Sequence, residues 1–161
     1  MGEFVRGTLV DWASFYANHA VVRTFVVFVH LGALLGAGGA AVTADRALLT
    51  ALGRGEDARQ RELLAMERTH RTVVVGLILM VVSGLLLFAS DVDAFLGSKI
   101  FWTKMVSFAL LTLNGVALVS AERRAIRGIG SAWRQLRFTA CASVGLWFLT
   151  VLVGVALANG G

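Results

Sequence analysis

Four long apolar runs, none of them interrupted by proline, constrain this chain more than any other feature. A helix rising about 1.5 Å per residue crosses about 30 Å of hydrocarbon in about 20 residues, and a helix satisfies its own backbone polar groups there. The runs place spans at residues 21–43, 72–90, 100–120 and 138–158. The expected fold is therefore all-α: one membrane domain over residues 1–161, an integral bundle of four transmembrane helices. With 57% hydrophobic and only 16% charged residues, the chain is too apolar for a disordered segment. It is also too poor in charge for an ordinary soluble domain, in which about 25% of residues are charged.

The formal net charge of +5 does not point to nucleic acid, because the basic residues sit in short connections between apolar runs. Arg46, Arg54, Arg59, Arg61, Arg68 and Arg71 lie between spans one and two, and Arg123, Arg124, Arg127, Arg134 and Arg137 between spans three and four. These are eleven of the fifteen basic residues. Lysine and arginine concentrate in cytoplasmic loops, so both connections are expected in the cytoplasm and both termini outside, in a bacterial inner membrane. The other side carries four basic residues (Arg6, Arg23, Lys99, Lys104) and four acidic ones (Glu3, Asp11, Asp91, Asp93). Attraction of the basic loops to anionic lipid headgroups is a second expectation.

Shorter features complete the layout. The start, MGEFVRGTLVDWASFYANHA, is too polar for a signal peptide. Residues 8–17 put Leu9, Trp12, Phe15 and Tyr16 on one face and read as an interfacial helix on the outer side. Residues 57–70 follow a Gly53/Gly55 break, with Asp57 as a cap, and read as a cytoplasmic extension of span two. The single cysteine, Cys141, lies within an apolar run and reads as a small packing residue, with no partner for a disulfide.

Lipid supplies no hydrophobic drive for helix association, so small residues and hydrogen bonds must supply it. Gly32, Gly36 and Ala40, at spacing four, predict the contact face of span one. Thr139, Ser143, Thr150 and Gly154 in span four, and Thr103, Ser107 and Asn114 in span three, predict interhelical hydrogen-bond positions. Asn114, near mid-span, is the strongest of these, because an unpaired amide in hydrocarbon costs several kcal/mol or so.

Ionisable groups within a span are functional candidates by default. By sequence position, His30 and Lys104 lie well inside. His30 is roughly 8 Å below the outer edge of span one, and Lys104, entering from the same side, matches its depth to about one turn. His19, Arg23, His30 and Ala37 share a helical face, which predicts an interior His30. A neutral imidazole suits haem iron or copper. Lys104 could neutralise a carboxylate or propionate, hold an anion or relay a proton, although alone it reads better as snorkelling to the headgroups. Met105, at the same depth, is a candidate thioether ligand, with Met80 at mid-membrane in span two. His70 reads as interfacial, about 15 Å from the depth of His30. Asp45 and Glu67 are expected to pair with Arg46, Arg68 or Arg71.

Taken in order, these residues form a familiar series. VHLGALLGAGGAAVTADRALL carries the span-one histidine, AMERTHR leads into span two with Ser83-Gly84 before LLLF, and FWTKM opens span three. Over residues 26–116 this resembles the bacterial J-type membrane protoporphyrinogen oxidases and, more loosely, the copper-resistance D membrane family. The resemblance implies bound haem b, with His30 and Lys104 in the positions of that family's functional histidine and lysine. It also matches Glu67 and Arg68 to the segment before the second span. The chain departs from the pattern in the glycines and ADR that end span one, and in Asn114-Gly115 where a late histidine is expected.

Three functions compete at this point. The first is a haem-b or related redox protein, a membrane oxidoreductase, with His30 as metal ligand and Lys104 and Met105 beside the cofactor. The second is a copper or small-solute transporter using His30, Met105 and Met80. The third is a structural or assembly subunit whose glycine faces dock a second copy or a larger membrane complex.

Overall fold

The order of elements follows the apolar runs. In the computed structural model the backbone is described for residues 2–160, and the side chains for residues 6–66 and 69–159. Glu67 and Arg68 thus lie outside the described side chains. Six helices are present: α1 (Gly2–Asn18), α2 (Ala20–Ala51), α3 (Glu56–Ser90), α4 (Val92–Gly97), α5 (Lys99–Ile126) and α6 (Ala132–Gly160). Helices α2, α3, α5 and α6 are long and apolar enough to cross a membrane.

Each connection has a local cause. His19 alone separates α1 from α2, at φ −116° and ψ 90°. There Arg23 Nη1 donates to the Ala17 carbonyl at 2.7 Å, which the end of α1 leaves without a helical partner. The turn after α2 reaches φ +104° at Gly55, a conformation that costs a residue with a Cβ but not glycine. At Asp91 the side chain accepts from Ala94 N at 3.2 Å to start α4, and Ser98 Oγ accepts from Phe101 N at 3.3 Å to start α5. Helix α5 ends with Gly128 at φ +77°, and Ile129 N donates to Arg124 O at 3.1 Å, the closing bond of a glycine-terminated helix.

The bundle consists of two hairpins, α2–α3 and α5–α6, joined face to face through α2 and α6. Helices α3 and α5 are tied near both ends. Phe88 stacks on Phe101 with ring centroids 5.5 Å apart, and at the other end His70 Nδ1 lies 3.4 Å from Glu122 Oε2. Helix α1 packs on α3, where Trp12 Nε1 donates to Leu86 O at 2.9 Å.

The contact face of α2 differs from the glycine stripe read from spacing. Gly32 and Gly36 face open space, whereas Ala33, Ala37 and Gly38 are buried. Gly76 of α3 meets Ala37 so closely that a Cβ on it would lie 2.5 Å from the Ala37 Cβ, and Gly38 makes room for the Trp147 ring of α6. Spacing of four marks both stripes equally, since Ala33/Ala37 lies one residue further round the helix. Only the partner helix distinguishes them. Cys141 is also exposed on the outer face of α6, not packed in the interior.

Two apolar clusters fill the bundle. One joins Ala33, Ala37, Met80, Leu111 and Trp147, and the other Leu48, Leu63, Met66, Leu118 and Leu136 at the arginine-rich end. Outside them, large apolar side chains such as Phe28, Leu35, Leu113, Phe138 and Leu152 are exposed. No more than 28% of any spanning window is buried inside the bundle.

Asn114 Nδ2 donates across to Thr139 O at 3.0 Å, tying α5 to α6. The hydroxyls behave differently. Ser107 and Thr150 are buried but donate within their own helices, to Thr103 O and Leu146 O, and Thr103 is exposed. A hydroxyl that can reach the carbonyl four residues back needs no neighbouring helix.

Candidate functional site

His30 projects from α2 into the bundle and is 9% exposed. Its Nδ1 lies 3.0 Å from Ser83 Oγ on α3. The Ser83 hydroxyl is itself 2.6 Å from Leu79 O, so its one hydrogen is spent within α3 and its oxygen is left to accept. In the neutral ring this places the His30 proton on Nδ1 and the lone pair on Nε2. Gly84, the next residue, admits the ring: a Cβ there would lie 3.3 Å from His30 Cε1.

Lys104 extends from α5 toward α6. Its Nζ lies 3.8 Å from where a Cβ on Gly154 would stand, so the glycine gives the ammonium its berth. The side chain is half-buried and lies against α6, not outward as snorkelling requires. His30, against Gly84 of α3, and Lys104, against Gly154 of α6, both lie toward the Phe88–Phe101 end of the bundle. Met105 does not join them. It is 37% exposed on the outer face of α5, as one residue's step of about 100° round a helix requires. Met80 is packed in the central apolar cluster. His70 stands at the opposite end, against Glu122.

Two interior acids extend the list read from the spans alone. Asp45 is 1% exposed and Glu122 is 5% exposed. Among the described residues Asp45 has no arginine partner: Ser143 of α6 is the polar group beside its carboxyl, and its Oδ2 has no hydrogen-bond partner. Both acids continue apolar helical faces beyond the predicted span ends: Asp45 follows Ala37 and Ala41, and Glu122 lies between Leu118 and Ala125. Extrapolating those faces past residues 43 and 120 is the signal that could have found them.

Asp45→Leu removes the unpartnered oxygen and presents an apolar surface to the neighbouring core. Its thermal stability in detergent is expected to equal the parent's or exceed it by about 1–3 kcal/mol. A loss of that size would show that the polar contact at Ser143 outweighs burial of the carboxyl.

Among the described residues, no group of three or more histidine, cysteine, aspartate or glutamate side chains is placed to hold a metal ion. Any metal at His30 would therefore arrive with other ligands of its own, as iron does in a porphyrin. No family model matches this chain, and no curated protein or solved structure matches it either.

Proposed function

We propose that the chain is a multi-pass protein of the bacterial cytoplasmic membrane that holds haem b, or a related redox cofactor, at His30 and serves membrane oxidoreductase chemistry. Its arginine-rich connections would face the cytoplasm and both termini the outside. Four apolar helices with mainly exposed side chains support the membrane placement. The resemblance over residues 26–116 supports the choice of haem.

One observation carries the cofactor reading: the Ser83 contact commits His30 Nδ1 and leaves the Nε2 lone pair unspent by that contact. This would suit His30 as a ligand to iron, since a ligating histidine is oriented by the bond its other nitrogen makes. The described donor set would supply one ligand to the iron, the His30 imidazole. Met105 is turned away and His70 is engaged with Glu122 at the far end. Neither described cavity includes His30, so the macrocycle would have to part the side chains around it.

When bound, haem supplies one-electron chemistry. The chain's own residues supply the rest. Ser83 orients the imidazole, Gly84 leaves it room, and Lys104 offers a cation to a propionate or an anionic substrate. Phe88, Phe95 and Phe101 form an aromatic cluster at that end of the bundle that would exclude water. Protein purified from haem-replete cells should show a Soret band and the absorption changes of reduction. A colourless, iron-free preparation would overturn the reading.

A further inference from the structure

We infer that the α2–α3 hairpin carries a binding site for an anionic phospholipid at its arginine-rich end, with the phosphate held by Arg46, Arg54 and Arg61. A cavity of about 440 Å³ opens there, lined by these three arginines with Thr43, Thr50 and Glu62. The one acid in the lining leaves an excess of positive charge. None of the three guanidiniums has an ion pair among the described residues, where Glu56 is taken by Arg59 and Glu122 by His70. Guanidinium groups bind phosphate oxygens in pairs of parallel hydrogen bonds, so three of them around one cavity suit a phosphodiester. Thr50 spends its hydroxyl hydrogen on Arg46 O at 2.8 Å, whereas Thr43 remains available as a donor.

A second cavity, of about 490 Å³, shares Thr43, Ala47 and Glu62 with the first and continues along Gly39, Ala40 and Ala44 toward the middle of α2, with Thr69 and Thr72 of α3 on its other wall. Gly39 faces open space, so the small side chains leave a trough beside the apolar belt. A charged head continuous with a trough of small side chains that runs toward the apolar belt matches a lipid with a phosphate and an acyl chain, and a soluble phosphate would use only the first half. The inference rests on the membrane placement proposed above and is independent of any cofactor.

The full-length protein in detergent, titrated with phosphatidylglycerol and with phosphatidylcholine, tests this by native mass spectrometry and thermal stability. The parent should prefer phosphatidylglycerol. Each arginine near the headgroups is worth about fivefold, so Arg46→Gln, Arg54→Gln and Arg61→Gln together should lower that preference about a hundredfold. Arg127→Gln, Arg134→Gln and Arg137→Gln make the same change of charge on the other hairpin and should leave the preference intact. Ala40→Leu should weaken lipid retention by filling the trough while leaving binding of inorganic phosphate unchanged. Equal loss in both triple variants would overturn the site in favour of diffuse surface charge. Glycerol phosphate or inorganic phosphate binding as tightly as the lipid would overturn the lipid assignment. Alkaline carbonate extraction of native membranes separates the two readings: release of the chain from the pellet would refute the membrane placement itself, whereas a retained chain without lipid preference refutes only the site.

Discussion

Gly76→Leu is expected to prevent α2 and α3 from docking as they do in the native bundle. A Cβ at this position would stand 2.5 Å from the Ala37 Cβ, 3.3 Å from Ala33 O and 3.4 Å from the Ala37 Cα. Carbon atoms in contact sit about 3.5–4.0 Å apart, so even Gly76→Ala must push two backbones apart by about 1 Å. Neither obstacle is the flexible end of a long side chain that could swing aside. Overpacking of this kind costs about 1–3 kcal/mol for a small addition, and leucine adds three more carbons at the same point. The effect should reach the candidate site, because Ser83 is seven residues along α3 from Gly76 and His30 seven residues along α2 from Ala37. Two turns of rigid helix carry a displacement at the crossing to the His30–Ser83 hydrogen bond. Thermal unfolding in detergent should show a large loss for Gly76→Leu, a smaller one for Gly76→Ala, and nearly none for Gly36→Ala, which has nothing within 4 Å. Equal losses at residues 36 and 76 would refute the assigned contact face.

His30→Ala is expected to abolish the Soret band of the purified protein. Among the described residues, no other histidine lies beside His30 and Met105 faces outward, so no second imidazole is at hand to replace the lost donor. Exogenous imidazole, entering the space that the side chain vacates, should restore part of the band. Ser83→Ala should keep the ligand but release its orientation, lowering cofactor affinity about 10–100-fold and shifting the reduction potential. His70→Ala, at the opposite end beside Glu122, should leave the spectrum unchanged. A band that persists undiminished in His30→Ala would remove His30 from the site, whereas loss of the band in His70→Ala with a folded bundle would move the site to the other end.

The two predictions depend differently on what was legible in the sequence. The interior position of His30 follows from helical arithmetic: it shares a face with Ala37, and both are buried. Its partner was not marked by such arithmetic, because a serine in a span has the carbonyl four residues back as a ready acceptor. Nothing in the local sequence says that the Ser83 oxygen also serves a histidine 53 residues away. Lys104 shows the opposite limitation. A lysine four residues into a span can reach the headgroups, and only Gly154 on a neighbouring helix explains why it points inward. Hydropathy does not mark the burial of Asp45 and Glu122, because it ends a span where charges begin, whereas the helices and their buried faces run on to Ala51 and Ile126.

By itself, the sequence determined that this chain forms four helices long and apolar enough to cross a membrane, separated by turns at Gly55 and Gly128 and by the capped segment from Asp91 to Ser98. That much is local physics: apolar length and the need to satisfy backbone groups within the segment select a helix, and glycine or a capping side chain ends it. Tertiary structure alone decided which stripe of small residues on α2 meets α3, that Asn114 reaches Thr139 while nearby hydroxyls stay within their own helices, and that His30 meets Ser83. Lipid and neighbouring helix are equally apolar surroundings, so hydropathy does not distinguish them. The choice falls to the close fit of particular backbones, as at Gly76 against Ala37, and that fit exists only once the second helix is in place.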